Sequence, residues 1–246
     1  MLSKAQNKYI RSLTQHKFRR EFKAFIAEGD KIAREWLQSD KTIQHIVALN
    51  DWAVQNESLI ALHPEAELHI VKESELSALS TLQTPNQALL AIHMSEIPSQ
   101  LPVDEWCIVL DDIQDPGNMG TIIRIADWFG IAHVVCSMES VDVYNPKVIQ
   151  AAMGGHLRVS IHKTDVKEFV AGTNMPVLAA TLDGKSIYKM DRLRAAVLVI
   201  GNESKGVSED IISLATDKIT IPRKGGAESL NAAISTGIIC SHLLPE

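Results

Sequence analysis

The chain has 246 residues, more than the usual single-domain size of roughly 100 to 150, so two domains with ordinary buried cores are expected. Its composition, 46% hydrophobic and 22% charged, is that of a globular protein, and no run of about 18 apolar residues is available to span a bilayer. The net charge of −6 speaks against a uniformly polyanion-coating protein, but it hides an asymmetry: residues 1–34 carry a net +6 and the remainder −12, which places any nucleic-acid-facing surface at the N-terminus.

Leu2 to Leu13 has the apolar spacing of a helix, and the basic stretch Lys17 to Lys23 leads into a short strand, AFIAEGD, ending near Gly29. A helix over Asp30 to Gln38 follows. Strand-like runs come at Ile43 to Leu49, Glu67 to Val71 and Ala88 to Met94, with helical candidates between them at Asp51 to Leu62 and Glu73 to Leu82. The first 95 residues therefore read as a small α/β domain. SEIPSQLPVDE, Ser95 to Glu105, combines two prolines with polar residues and no periodicity, so residues 96–105 read as a linker and 106–246 as a second domain.

From Trp106 onward the alternation is regular, with apolar strands at CIVLDDI, HVVCS, RVSIH, PVLAATL, AVLVIG and KITIPR and helical patterns between most of them. Strands apolar on both faces suit a parallel sheet covered by helices, and the expected class is an open α/β fold. Cys107, Cys136 and Cys240 are widely spaced and each lies in an apolar segment, which makes them buried thiols rather than a disulfide frame. The nine histidines are scattered, and no metal site is expected. No charged-then-apolar leader is visible, so the expected compartment is the cytoplasm.

Neither GxGxxG after a strand nor GxxxxGK[ST] occurs, which demotes dinucleotide oxidoreductases and P-loop enzymes. Three strand ends instead carry loops richer in Gly, Asn and charge than a connection requires, and in open α/β sheets ligands bind at such ends. The first loop, DPGNMG, opens a helix that Asn118 can cap; Arg124 lies six residues beyond Asn118, less than two turns along. A helix N-terminus with an arginine suits phosphate, although an ordinary cap and a surface arginine fit as well. The second, GNESKGVS, offers the carboxylate of Glu203 at the end of the most apolar strand; a plain turn with a helix cap at Ser208 is the competing reading. In the third, IPRKGGAESLNAAIS, Ser229 and Asn231 follow a Gly-Gly loop and open a long helix rich in small residues.

Taken together, DPGNMGTIIRIADWFG, GNESKGVS and IPRKGGAESLNAAIS are similar, in order and spacing, to the three motifs of the SpoU/TrmH family of RNA ribose 2′-O-methyltransferases in the SPOUT superfamily. YNPKVIQAAMGGHLRVSI resembles the segment between the first two, and KFRREFKAFIAEGDKIAREWL resembles the substrate-binding domain that precedes the catalytic domain in many members. The resemblance implies a parallel-sheet domain with a trefoil knot, S-adenosylmethionine as cofactor, a homodimer, and structured RNA as substrate, ribosomal RNA ahead of tRNA. It implies Asn118, Arg124, Glu203, Ser229 and Asn231 as catalytic groups and Gly201, Ile221 and Leu230 as backbone contacts of the cofactor. Arg124 has a reference pKa too high for a base in water, which favours positioning of ribose and phosphate. Lys17, Arg19, Arg20 and Lys23 are the expected RNA contacts. Arg223, Ala232 and Ala233 in the third motif and Gln87 in the first domain depart from the family pattern. A non-catalytic RNA-binding or ribosome-assembly protein that keeps the fold is the alternative.

Overall fold

The computed structural model describes residues 2–82, 86–95 and 101–245, and the chain divides into two compact units. The first comprises residues 1–96 together with 144–157; the second comprises 97–143 and 158–246. Residues 96–100 of the expected linker lie outside the described residues, and 101–105 carry neither helix nor strand.

In the first unit, α1 (Lys4–Ser12) starts at Ser3, which forms a reciprocal capping box with Gln6. The basic stretch Lys17 to Lys23, assigned no element from its sequence, is α2 (His16–Phe22), closed by Lys23 in the left-handed conformation. Then come β1 (Ala24–Glu28), α3 (Asp30–Leu37) and β2 (Ile43–Ala48). The single helix expected over Asp51 to Leu62 is two short ones, α4 (Asn50–Gln55) and α5 (Glu57–Ile60), broken at Asn56, whose buried side-chain amide donates to the carbonyl of Trp52. β3 (Glu67–Ile70), α6 (Glu73–Leu79) and β4 (Ala88–His93) follow. The sheet order is β1-β4-β2-β3, with β2 and β3 parallel and the other pairs antiparallel. Gln87 lies at its rim, where its carbonyl accepts from the amide of Leu49.

The second unit begins with β5 (Cys107–Asp111), α7 (Pro116–Trp128) and β6 (His133–Cys136). The chain then returns to the first unit as α8 (Pro146–Ala152). Ile149, with Tyr144, Met153 and Leu157 beside it, packs into the core built on Phe25, Trp36 and Trp52, which is why 144–157 joins that unit despite its place in the sequence. β7 (Ser160–Lys163), α9 (Val166–Gly172), β8 (Val177–Ser186), β9 (Val197–Gly201), α10 (Glu209–Ile212), β10 (Asp217–Thr220) and α11 (Ala232–Leu243) follow.

All pairs of the second sheet are parallel, in the order β10-β8-β9-β5-β6-β7. β5 and β9 are its central strands and are apolar on both faces, as a parallel sheet covered on each side requires. From β5 the chain moves outward through β6 to β7, then crosses to β8 and β9 on the other side. The direction of winding thus reverses between β5 and β9, and at such a switch point two loops diverge from adjacent strand ends and leave a crevice. Cys107, Cys136 and Cys240 are all buried and unpaired in disulfides, and burial pushes each thiol pKa up to about 12. Among the described residues, no helix is long and apolar enough to cross a membrane.

Candidate active site and nucleic-acid interface

Asp111 ends β5 opposite Gly201, which ends β9, so the loops Asp112 to Asp115 and Asn202 to Ser208 leave the sheet side by side. Hydrogen bonds tie them together. The side-chain amide of Asn202 donates to the carbonyl of Asp112 at 2.8 Å, the amide of Ser208 donates to the Asp111 carboxylate at 2.7 Å, and Glu203 reaches across to the start of α7. A Cβ at Gly201 would collide with the backbone of Gly206 and Val207; glycine is required there because the loop folds back onto the strand end.

The start of α7 departs from expectation. Its cap is Asp115, whose Oδ1 accepts from the amide of Asn118 at 2.8 Å, with Pro116 at the first helical position. Asn118 is therefore not the cap, and its side chain is free for longer-range bonds. Its Nδ2 donates to Glu203 Oε1 at 2.9 Å, while its Oδ1 accepts from Asn231 Nδ2 at 2.7 Å. Asn231 in turn caps α11, its Oδ1 accepting from the amides of Ala233 and Ile234. One buried asparagine, 7% exposed, thus joins residues from all three motif segments. Asp-Pro a few residues after the end of β5 is the signal in the sequence that marks the true cap.

Glu203 also accepts from the backbone amides of Gln114 and Asp115 at 3.3 and 3.2 Å. Burial alone would raise its pKa, but the hydrogen bonds from Asn118 and from backbone amides outweigh it and hold the carboxyl below its ordinary value. Two carboxylates, Asp115 and Glu203, occupy the start of α7, where the helix dipole favours them. A phosphate clamp at that helix end is therefore not what the loop builds. Among the described residues no ion pair or side-chain hydrogen bond engages the exposed guanidinium of Arg124. The neighbouring Asp127, one turn along, binds Arg158 through both carboxylate oxygens at 2.7 and 2.8 Å.

The third segment is a surface loop. Residues 222–230 are all exposed, and no backbone-to-backbone hydrogen bond is made within it among the described residues. Ser229 lies in this loop rather than on α11, and Leu230 is 50% exposed. Ile221 is half-buried just beyond β10. Arg223 donates from Nη1 to the carbonyl of Ala227 at 3.0 Å and so braces the loop from within. Ala232 and Ala233 begin α11 without loss of its cap, because Asn231 supplies it. A cavity of about 180 Å³ lies at the ends of β5, β6 and β7, lined in part by Asp111, Ser137 and Lys167. It is smaller than the roughly 300 Å³ usual for a ligand pocket, and of the second motif's polar residues it is lined by Ser208 but not by Glu203.

The first unit carries a larger cleft of about 790 Å³ between α1, α2 and α6. Lys4, Lys8 and Arg11 line it together with Tyr9, Phe18 and Phe22, so cations alternate with aromatic faces. Phe18 and Phe22 stack with centroids 6.1 Å apart, Tyr9 meets Phe22 edge-on, and the Lys17 ammonium lies over the Phe18 ring. Such a surface suits phosphate together with unstacked bases. Lys17, Arg20 and Lys23 are exposed as expected. Arg19 is not: it is 2% exposed and donates to the carbonyl of Leu13, so it fixes the α1–α2 turn. Lys4, Lys8 and Arg11 share one face of α1 by their i, i+4, i+7 spacing; what the sequence does not show is that Phe18 and Phe22 of α2 and Ala78 to Ser80 complete the lining.

Residues 105–241 match the SpoU rRNA Methylase family, and residues 4–91 match the MRM3-like substrate binding domain. The chain is 26% identical to the 23S rRNA (guanosine(2553)-2'-O)-methyltransferase of Bacillus subtilis, over 98% of each chain. A solved protein from Porphyromonas gingivalis, assigned to the TrmH family of RNA methyltransferases, superposes with a TM-score of 0.85 at 36% identity, covering 99% of this chain and 98% of that one. An AdoMet-bound rRNA methyltransferase from Sinorhizobium meliloti superposes with a TM-score of 0.84 at 27% identity, covering 99% of this chain and 96% of that one.

Replacing Asn118 by alanine removes the side-chain donor to Glu203 and leaves most of its burial in place, so the pKa of Glu203 is expected to rise. Because the folded-state pKa lies below the ordinary value, the stability this carboxylate contributes is present above its unfolded pKa and is lost as pH falls through the folded one. A carboxyl-carbon NMR titration of wild type and Asn118→Ala checks it; an unchanged Glu203 titration would remove Asn118 from this role.

Proposed function

The chain belongs to the SpoU rRNA Methylase family, and from that premise we propose that it transfers a methyl group from S-adenosylmethionine to a ribose 2′-hydroxyl of ribosomal RNA. The single observation that carries this reading is the hydrogen-bonded line Asn231–Asn118–Glu203 at the switch point of the parallel sheet. It gathers the three loops on which such a site would have to be built.

The residues present suit the cofactor. An adenosine moiety is recognised well by backbone amides and carbonyls beside apolar side chains, and among the described residues the loop 222–230 leaves its backbone polar groups without main-chain partners next to Ile221 and the exposed Leu230. Gly201 ends β9 where the loop 202–208 folds back against it. Gly201, Ile221 and Leu230 would hold the cofactor, whose sulfonium supplies an activated methyl group for an in-line displacement. The C-terminal segment that carries Leu230 is proposed to thread the trefoil knot of SPOUT proteins.

The chain's own contribution is alignment. Glu203 is held ionised by its donors and is a weak base; its task is to lock Asn118 and the first turn of α7. Asn118 and Asn231 fix the starts of α7 and α11 relative to each other, and Ser229 would orient cofactor or nucleotide. Arg124 offers an unengaged guanidinium that can take the ribose and its phosphate through two parallel N–H groups. Holding the hydroxyl in line is worth several orders of magnitude in rate.

Trp128 on α7 is 82% exposed and Ile234 on α11 is 55% exposed. The two helices pack on each other, and apolar groups of this size left in water favour a second copy of the chain as their cover, hence a homodimer. Ribosomal RNA is favoured over tRNA because the similarity to the Bacillus subtilis enzyme runs through the whole chain, and the basic aromatic cleft of the first unit would seat the RNA. The cytoplasm, where thiols stay reduced, is the proposed compartment.

Arg124→Ala is expected to lower methyl incorporation into unmodified ribosomal RNA by at least about 100-fold, with the circular dichroism spectrum unchanged; near-normal turnover would refute its role. Mapping of the methylated position by ribose-specific cleavage in the same assay identifies the nucleotide, and incorporation into tRNA alone would overturn the substrate assignment. Neutralising Lys17, Arg20 and Lys23 together should weaken RNA binding and flatten its salt dependence, by about 0.9 in log–log slope for each duplex phosphate left unneutralised. Filter binding across salt concentrations reads this directly, and an unchanged slope would place the RNA elsewhere.

A further inference from the structure

The first unit holds a convergence of side chains that lies outside the three motif loops. β2 and β3 pair in parallel with His45 opposite Glu67 and Val47 opposite His69. Because side chains alternate along a strand, His45, Glu67 and His69 lie on one face of the sheet. His45 Nδ1 and His69 Nε2 are 3.1 Å apart, and Glu67 Oε2 lies 3.8 and 3.7 Å from them respectively.

Hydrogen bonding explains only the shortest of these distances. One ring N–H can donate to the other ring, but 3.7 to 3.8 Å is too long for either ring to donate to the carboxylate. A common centre explains all three: the point equidistant from the three atoms lies about 2.1 Å from each, which is the length of a Zn–N or Zn–O bond. Two imidazoles and a carboxylate are donor types that Zn²⁺ takes. Burial favours the neutral form of both rings, and a neutral imidazole has a lone pair to give. Outer contacts fix the donors as well. Gln6 Nε2 donates to Glu67 Oε2 at 2.6 Å, the Tyr9 ring packs edge-on against His45, and the Tyr9 hydroxyl donates to Gln44. Support of this kind is what holds metal ligands in orientation.

We propose that His45, Glu67 and His69 bind one Zn²⁺, with a water in the fourth position. Gln6 and Tyr9 both belong to α1, so the ion would fasten α1 to the edge of the sheet and hold rigid the helix that carries Lys4, Lys8 and Arg11 into the basic cleft. Its role is structural, since it acts on the shape of the first unit and takes no part in methyl transfer.

The test uses the full chain stripped with a chelator and supplied with Zn²⁺ alone. Equilibrium dialysis with elemental analysis should find one zinc per chain, and thermal melting should show a higher Tm with Zn²⁺ than without, because a ligand of the folded state stabilises it. The double variant His45→Ala/His69→Ala should lose at least about 10-fold in affinity and lose the Tm response. With Co²⁺ as probe, the wild type should show the visible absorption of a tetrahedral nitrogen-ligated ion. Less than stoichiometric zinc without a Tm shift in the wild type would overturn the proposal, as would a double variant that binds as tightly. Should the double variant fail to fold, the wild-type stoichiometry and the Co²⁺ spectrum decide alone.

Discussion

One buried amide organises the catalytic unit. Asn118 gives its Nδ2 to Glu203 and takes the Nδ2 of Asn231 on its Oδ1, which uses both the donor and the acceptor character of the side chain. No other residue of that size can do this: aspartate lacks the donor and leucine lacks both. The arrangement also explains why the cap of α7 falls to Asp115, since a capping Asn118 could not span to the other two loops. Orphaning a buried donor or acceptor costs about 1–3 kcal/mol, so the three loops are coupled, and a change at one is felt at the starts of both α7 and α11.

Charge is arranged with the same economy. The start of α7 is filled by the carboxylates of Asp115 and Glu203, and donors from the backbone and Asn118 keep Glu203 ionised. Positive charge is thereby left to Arg124, further along the helix and unengaged among the described residues, while Asp127 is occupied by Arg158. In the first unit the division is between structure and surface. Arg19 is committed to the Leu13 carbonyl inside, while Lys17, Arg20 and Lys23 remain in water.

Much of this is legible from the chain alone. Each of the apolar runs read as strands in the second domain is a strand, because a run apolar on both faces has few alternatives between turn signals. Asn118, Glu203 and Asn231 stand out by their loop settings and the family resemblance, yet their mutual bonding does not, since it spans 85 and 113 residues of sequence. The burial of Arg19 is illegible for a similar reason: within a basic run nothing distinguishes the one arginine that turns inward. The membership of α8 in the first unit depends on where Ile149 packs, and nothing local in PKVIQAA encodes that. His45, Glu67 and His69 look scattered because only the parallel register of β2 and β3 brings them to one face.

Whether the three loops form one cofactor site through Asn118 is tested most directly by a double-mutant cycle on Asn118→Ala and Asn231→Ala, read as S-adenosylmethionine affinity by calorimetry. Measurable binding by the wild type is predicted, with strongly non-additive losses and a coupling of about 0.5 kcal/mol or more. Absence of binding by the folded wild type, or losses that simply add, would contradict a site assembled in this way.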